Sequence, residues 1–182
     1  MFYNRIENPF LRGAAEWIVL IAFSVLLFFV LRAFIFRTAK VDGNSMVPTL
    51  EHGDMIILNR IVYYISTPKA GDIVAFPYAE NPSEHFIKRV IGVPGDTVDL
   101  IDGFFYVNGV RLDDEFSDEQ TPASGNAQFP ITVEENHYFV LGDNRNSSQD
   151  SRFSSVGCIP RNEIVGRASV RYWPLGRVGS VR

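Results

Sequence analysis

Apolar residues fall along this chain in two distinct patterns. From Trp17 to Leu31 every position is apolar except Ser24, and Ala33 to Phe36 continue the run past Arg32. The 20 residues 17–36, at about 1.5 Å each in a helix, reach roughly 30 Å, the thickness of a bilayer's hydrocarbon core. A signal-peptide cut would need small residues at its −1 and −3 positions, and Arg37 stands where Ala39 would require one. The pattern therefore predicts an uncleaved transmembrane anchor over 17–36, preceded by a segment 1–16 and followed by one domain over 37–182.

Beyond the anchor the apolar runs shorten to strand length. Met55 to Leu58 and Ile73 to Phe76 are continuous and bounded by Gly-Asp, as fully buried strands are; the second is expected to end at Pro77. Thr97 to Leu112 reads as a meander turning at Asp102-Gly103 and at Asn108-Gly109, a strong hairpin signal. Strand-like runs return at Ile131–Val133, Tyr138–Leu141 and Ile164–Tyr172. Between them, 113–128 is acidic and rich in Pro, Ser, Gly and Asn, and is expected to be a mobile surface loop. No repeat and no long amphipathic helix interrupts this. The fold class is mainly β, an antiparallel sheet or barrel-like domain on one N-terminal helix.

Charge alters the picture in two places. Arg5 and Arg12 precede the anchor while Arg32, Arg37 and Lys40 follow it, so flanking charge leaves the orientation open. Past residue 40 the chain holds 12 cations against 19 acids, which argues against nucleic-acid binding. The single cysteine, Cys158, excludes an internal disulfide and a Cys-rich metal site, and reads as a small buried hydrophobe. No His-x-x-x-His pair or carboxylate cluster stands at ligand spacing, so neither metal nor cofactor is expected.

Candidate chemistry begins at Val41-Asp42-Gly43-Asn44-Ser45-Met46-Val47-Pro48-Thr49-Leu50. Gly43 and Asn44 tolerate the backbone of a tight turn and Pro48 stiffens it, which would present the Ser45 hydroxyl on a rigid bend. In Phe86-Ile87-Lys88-Arg89-Val90-Ile91, alternation puts Lys88 with Phe86 and Val90 on one face and Arg89 with Ile87 and Ile91 on the other. A lysine among apolar neighbours can lose its proton and serve as a base, whereas arginine cannot. On these residues alone, an ordinary turn and a cation projecting into water remain open alternatives. His52, His85 and His137 have no triad context. A third stretch, Gly142 to Arg152, carries Asp143, Arg145, Asp150 and Arg152, which suggest ion pairs pinning a loop, and hydroxyls at Ser147, Ser148 and Ser151 able to orient an amine.

Taken in order and spacing, these stretches, with Gly71-Asp72-Ile73-Val74, Gly92 to Asp96 and Gly166 to Pro174, resemble the type I signal peptidases, membrane-anchored Ser-Lys endopeptidases that remove signal peptides from exported preproteins. The resemblance implies Ser45 as nucleophile, Lys88 as general base and Ser148 as the residue orienting the lysine. It implies Asp143, Arg145, Asp150 and Arg152 as support, and Val41, Met46, Leu50, Phe86 and Ile87 as the lining of pockets selecting Ala-x-Ala sites. It further implies a cytoplasmic segment 1–16, a single pass through the cell membrane and an extracytoplasmic domain. Some members carry an oxyanion-binding serine where this chain has Gly43, so the hole would rest on the Ser45 backbone N–H. Ile61–Ile65 and Trp173 supply more apolar and aromatic surface than a soluble domain usually exposes, and the sequence leaves open whether they rest in the membrane interface or form ordinary core. Two other readings stay open: a Ser-Lys protease dedicated to itself or one partner, and an inactive tethered interaction domain.

Overall fold

In a computed structural model of the chain, residues 9–113, 116, 120–121 and 125–181 are described. The chain divides into two units, 1–36 and 37–182. The first holds helix α1 (Pro9–Ile35), which starts earlier and ends one residue sooner than the apolar run. It is the one helix, among the described residues, long and apolar enough to cross a membrane.

The second unit is built from strands β1 (Phe36–Lys40), β2 (Met55–Asn59), β3 (Ile73–Tyr78), β4 (Asn81–Gly92), β5 (Thr97–Ile101), β6 (Phe104–Val107), β7 (Val110–Arg111), β8 (Ile131–Thr132), β9 (His137–Leu141), β10 (Ile159–Pro160), β11 (Gly166–Trp173) and β12 (Gly179–Ser180). A short helix α2 (Val62–Ile65) follows β2. The larger sheet runs β1-β2-β11-β3-β4-β9-β10, with β12 paired to β11; the smaller runs β7-β6-β5-β8. Every pairing with a described register is antiparallel.

Alternation along β3 shows how the larger sheet is covered. Ile73 and Ala75 join Val41, Met46, Leu50, Ile56 and Ile87 in one cluster, while Val74 and Phe76 join Val90, Tyr138 and Val140 in another. A strand buried on both faces has no polar positions to alternate with, which is why its sequence is a continuous apolar run. A third cluster, including Ile91, Val98, Phe105 and Phe139, lies between β4, β9 and the smaller sheet; Cys158, half-buried, packs against it. Both hairpin turns of the smaller sheet have positive φ at two successive residues, Asp102-Gly103 (50° and 80°) and Asn108-Gly109 (53° and 78°). That geometry matches the strands' twist and selects these dipeptides.

Two details differ from the sequence reading. β3 continues through Pro77 to Tyr78, because β11 pairs with β3 only at Val74 and Ala75, leaving Pro77 with one neighbouring strand. Helix α2 forms where only an apolar run was read, since a four-residue helix is too short to display a period. Half of the expected acidic loop 113–128, namely 114–115, 117–119 and 122–124, lies outside the described residues, as do 1–8.

Two of the open strand edges among the described residues bear on the site. β1 ends the larger sheet, and β9 pairs with β4 only at Arg89, Val90 and Gly92, so one side of β4 is open over 81–88.

Candidate active site

The turn after β1 is fastened at its base and along its length. Val41 donates its N–H to Asp54 O (2.8 Å) and accepts from Gly53 N (2.9 Å). Gly43 has φ +91°, the conformation its lack of Cβ permits. Val47 N–H donates to Asn44 O (3.2 Å) and Leu50 N–H to Met46 O (2.8 Å), a helix-like twist that drives Met46 and Leu50 into the first core cluster. Ser45 is left half-buried at the lip. Its carbonyl accepts from Asn144 N–H at 3.0 Å, and the Asn144 side-chain amide donates to Asn44 O at 3.1 Å. The Ser45 N–H itself has no acceptor among the described residues.

Lys88 lies on β4, only 3% exposed, with Nζ 2.7 Å from Ser45 Oγ and 4.9 Å from the centre of the Phe86 ring. Burial pushes the lysine down from 10.5 to about 8; the Asp150 carboxylate opposes this, Arg152 adds to it, and Asp143 opposes it. Desolvation therefore outweighs the acids nearby, because it penalises the ammonium and not the amine. When charged, Nζ donates to Oγ; when neutral, the same line carries the hydroxyl proton toward the nitrogen lone pair. The pair can make an alkoxide equivalent near neutral pH without a histidine. His52 lies against Gly43 N (3.3 Å) and Asp42 (3.1 Å), and His137 against Glu135 O (3.0 Å). None of the three histidines hydrogen-bonds Ser45 or Lys88.

Two buried ion pairs brace this arrangement. Asp143 accepts from Arg89 Nε and Nη2, both at 2.7 Å, and from Thr49 Oγ1 at 2.5 Å. This joins the lysine strand, the serine turn and the polar loop at one carboxylate. Asp150 accepts from Arg152 Nε and Nη2 at 2.8 and 2.9 Å, and from Gly142 N–H at 3.0 Å. Arg145 donates to Gly142 O (3.1 Å), while its own carbonyl accepts from Arg152 (2.7 Å). Each carboxylate is bidentate to a planar guanidinium, the geometry in which such pairs are strongest.

Gly142, Thr49 and Asn144 were not singled out by sequence reasoning. A Cβ on Gly142 would lie 2.2 Å from Ser148 Oγ and 2.4 Å from Ser45 O, so only glycine lets the polar loop and the serine turn lie this close. Gly142 opens the polar stretch and Thr49 belongs to the serine turn; their places in those motifs were the only signal available.

A cleft of about 650 Å³ runs past Ser45 and Lys88, bounded by β1 and by Ser83 to Lys88 on β4. It thus lies along both open strand edges. Val41, Met46, Phe86 and Ile87 line it, with Ala75 and Leu58 in addition. Leu50 does not: it is 0% exposed, turned into the core by the Met46–Leu50 bond. Ser148 also departs from expectation. Its Oγ is buried and without a hydrogen-bond partner, so the implied bond to Lys88 is not formed here. Among the described residues no group of His, Cys, Asp or Glu could hold a metal ion.

A family model described as signal peptidase, peptidase S26, matches residues 14–173. A signal peptidase I of Leptolyngbya laminosa is 39% identical over 97% of this chain and 86% of its own length. Signal peptidase I P of Bacillus subtilis subsp. natto is 35% identical over 90% of this chain and 91% of its own. A solved signal peptidase I of Enterococcus faecalis is 34% identical, covers 58% of this chain and 99% of that one, and has a TM-score of 0.49. The serine turn, the lysine strand and the polar loop all fall inside the matched span, and the chain belongs to the signal peptidase family, peptidase S26.

Proposed function

We propose that this protein is a serine endopeptidase that removes signal peptides from exported preproteins after small residues, with Ser45 as nucleophile and Lys88 as general base. The observation that carries the assignment is the 2.7 Å separation of Nζ and Oγ around a buried lysine. Lys88 takes the Ser45 proton as Oγ attacks the scissile carbonyl, then delivers it to the leaving amine. A water deprotonated by the same amine hydrolyses the acyl-enzyme. The tetrahedral oxyanion is received by the Ser45 N–H, whose lack of an acceptor leaves it available. Ser148 holds the Lys88 amine during the cycle. A buried hydroxyl without a partner costs about 1–3 kcal/mol, and bonding the amine removes that cost. Asp143, Arg145, Asp150 and Arg152 keep the three segments in register.

The substrate lies extended between β1 and the open side of β4, adding its backbone to both edges. Alternate side chains enter the space beside Val41, Met46, Phe86 and Ile87, which admits alanine and excludes larger groups by overlap. Helix α1 is the anchor over 17–36, with 1–16 cytoplasmic and 37–182 outside the cytoplasm in a single-pass cell-membrane protein. That orientation follows from the substrate, whose cleavage site emerges on the far side of the membrane. Lipid contact is assigned to Tyr64, Ile65 and Trp173, which are respectively 71%, 85% and 49% exposed.

The test is processing of several unrelated preproteins in membranes by the full chain and by Ser45→Ala. Loss of cleavage in the variant for all of them is expected; cleavage at the parent rate would overturn the assignment. Cleavage of only one preprotein by the parent would indicate a dedicated protease instead.

A further inference from the structure

We propose that a second cleft, lined by Arg37, Arg60 and Arg161, binds the phosphodiester headgroup of an anionic phospholipid. This rests on α1 being a membrane anchor and is independent of the catalytic assignment. The cleft measures about 310 Å³ and lies where the start of β1, the end of β2, α2 and the segment before β11 converge. The Arg161 guanidinium is fixed: Nη2 donates to Tyr63 O and to Ser66 O (3.2 Å), and the group lies 5.1 Å from the Tyr63 ring. Those bonds use one nitrogen, leaving the other two directed donors for a ligand. The Arg37 side chain makes no hydrogen bond among the described residues. Arg60 is engaged with a partner of its own, and against Arg37 and Arg161 the lining holds a single acid, Glu163, which is exposed and forms no ion pair. The balance favours one negative charge, which a phosphodiester carries.

Two observations select a lipid over a soluble phosphate. Arg37 follows the last residue of α1 by two positions, so about 3.3 Å per residue keeps it near the depth at which the helix leaves the hydrocarbon. Beside the arginines, α2 and the residue before it present Ile61, Tyr64 and Ile65, 41%, 71% and 85% exposed. Apolar and aromatic side chains next to guanidiniums suit the acyl-headgroup boundary.

The experiment is native mass spectrometry of the full chain in neutral detergent, titrated with phosphatidylglycerol or phosphatidylcholine. Phosphatidylglycerol should be retained as one tight adduct and phosphatidylcholine should not. Arg37→Gln should weaken retention about fivefold, the effect of one basic residue at a charged surface. Arg161→Gln should weaken it at least as much, with thermal unfolding recorded to exclude misfolding. Ser45→Ala should retain the lipid as the parent does, which separates this site from the catalytic reading. Equal retention of the two lipids, or unchanged retention by Arg37→Gln, would overturn the proposal. Displacement by millimolar inorganic phosphate would overturn it in favour of a soluble anion. Release of the chain from membranes by alkaline carbonate would overturn the anchor and this site with it.

Discussion

Lys88 Nζ stands 2.7 Å from Ser45 Oγ although 43 positions separate the two residues in the chain. The lysine's value of about 8 makes a pH prediction. The competent form is the neutral amine, so kcat/KM should rise with pH through about 8 and level off above it. Lys88→Arg, which keeps charge and loses basicity, should be slower by about 100-fold or more and show no such rise. Stability has the same sign: between about 8 and 10.5 the unfolded chain holds a proton the folded chain has released, so this lysine's contribution increases with pH across that window. A flat activity profile for the parent from pH 6 to 10 would remove Lys88 as the base.

Asp143 is the meeting point of the serine turn, the lysine strand and the polar loop. Asp143→Asn preserves its shape but leaves the Arg89 guanidinium, 8% exposed, without its carboxylate. Breaking a buried pair in this way costs about 3–5 kcal/mol. Chemical denaturation of the full chain should show a loss of that order, and Arg89→Met with Asp143→Leu should recover part of it. A loss under about 1 kcal/mol in the single variant would mean the pair is not what joins the segments.

Gly142→Ala tests the close approach of the two loops. The new methyl would meet Ser148 Oγ and Ser45 O well inside van der Waals contact, and neither neighbour is the end of a long flexible side chain. Displacing the nucleophile by about 1 Å should lower kcat about 100-fold and destabilise the domain by about 1–3 kcal/mol. Single-turnover kinetics and thermal unfolding measure the two effects. Unchanged kcat would show that the Ser45 position is not held through Gly142.

Ser148→Ala separates structural from kinetic roles. Removing a buried hydroxyl that has no partner should leave the midpoint of unfolding unchanged or slightly raised. If the hydroxyl bonds the Lys88 amine during turnover, kcat should fall and the alkaline rise should move to a different pH. Ser148→Thr should restore part of the rate. A variant with lowered stability and unaltered pH profile would assign the residue to packing alone.

Much of this was legible before any coordinates. The Asn108-Gly109 and Asp102-Gly103 turns were readable because few other residues adopt positive φ twice in succession. The buried strands were readable as apolar runs, whereas Lys88, one of two adjacent cations in Phe86–Ile91, was legible as a base only through the family's motifs taken together. What escaped is what depends on the third dimension. Leu50 reads as a pocket residue by its motif, yet one backbone bond to Met46 turns it inward. Helix α2 is too short to show a period. No pattern in the sequence announces that Gly142 must lack a side chain, because the groups it would strike come from two other places in the chain.

If the substrate adds its backbone to the open sides of β1 and β4 as proposed, there is a consequence for breadth. Amide and carbonyl groups are the same in every polypeptide, so a guest gripped along its main chain is accepted whatever its composition. Discrimination is then left to volume at a couple of positions next to the bond that breaks. Export clients that share no common text can be served by one catalyst on those terms, and a change in the host's repertoire of secreted proteins requires no change in the enzyme.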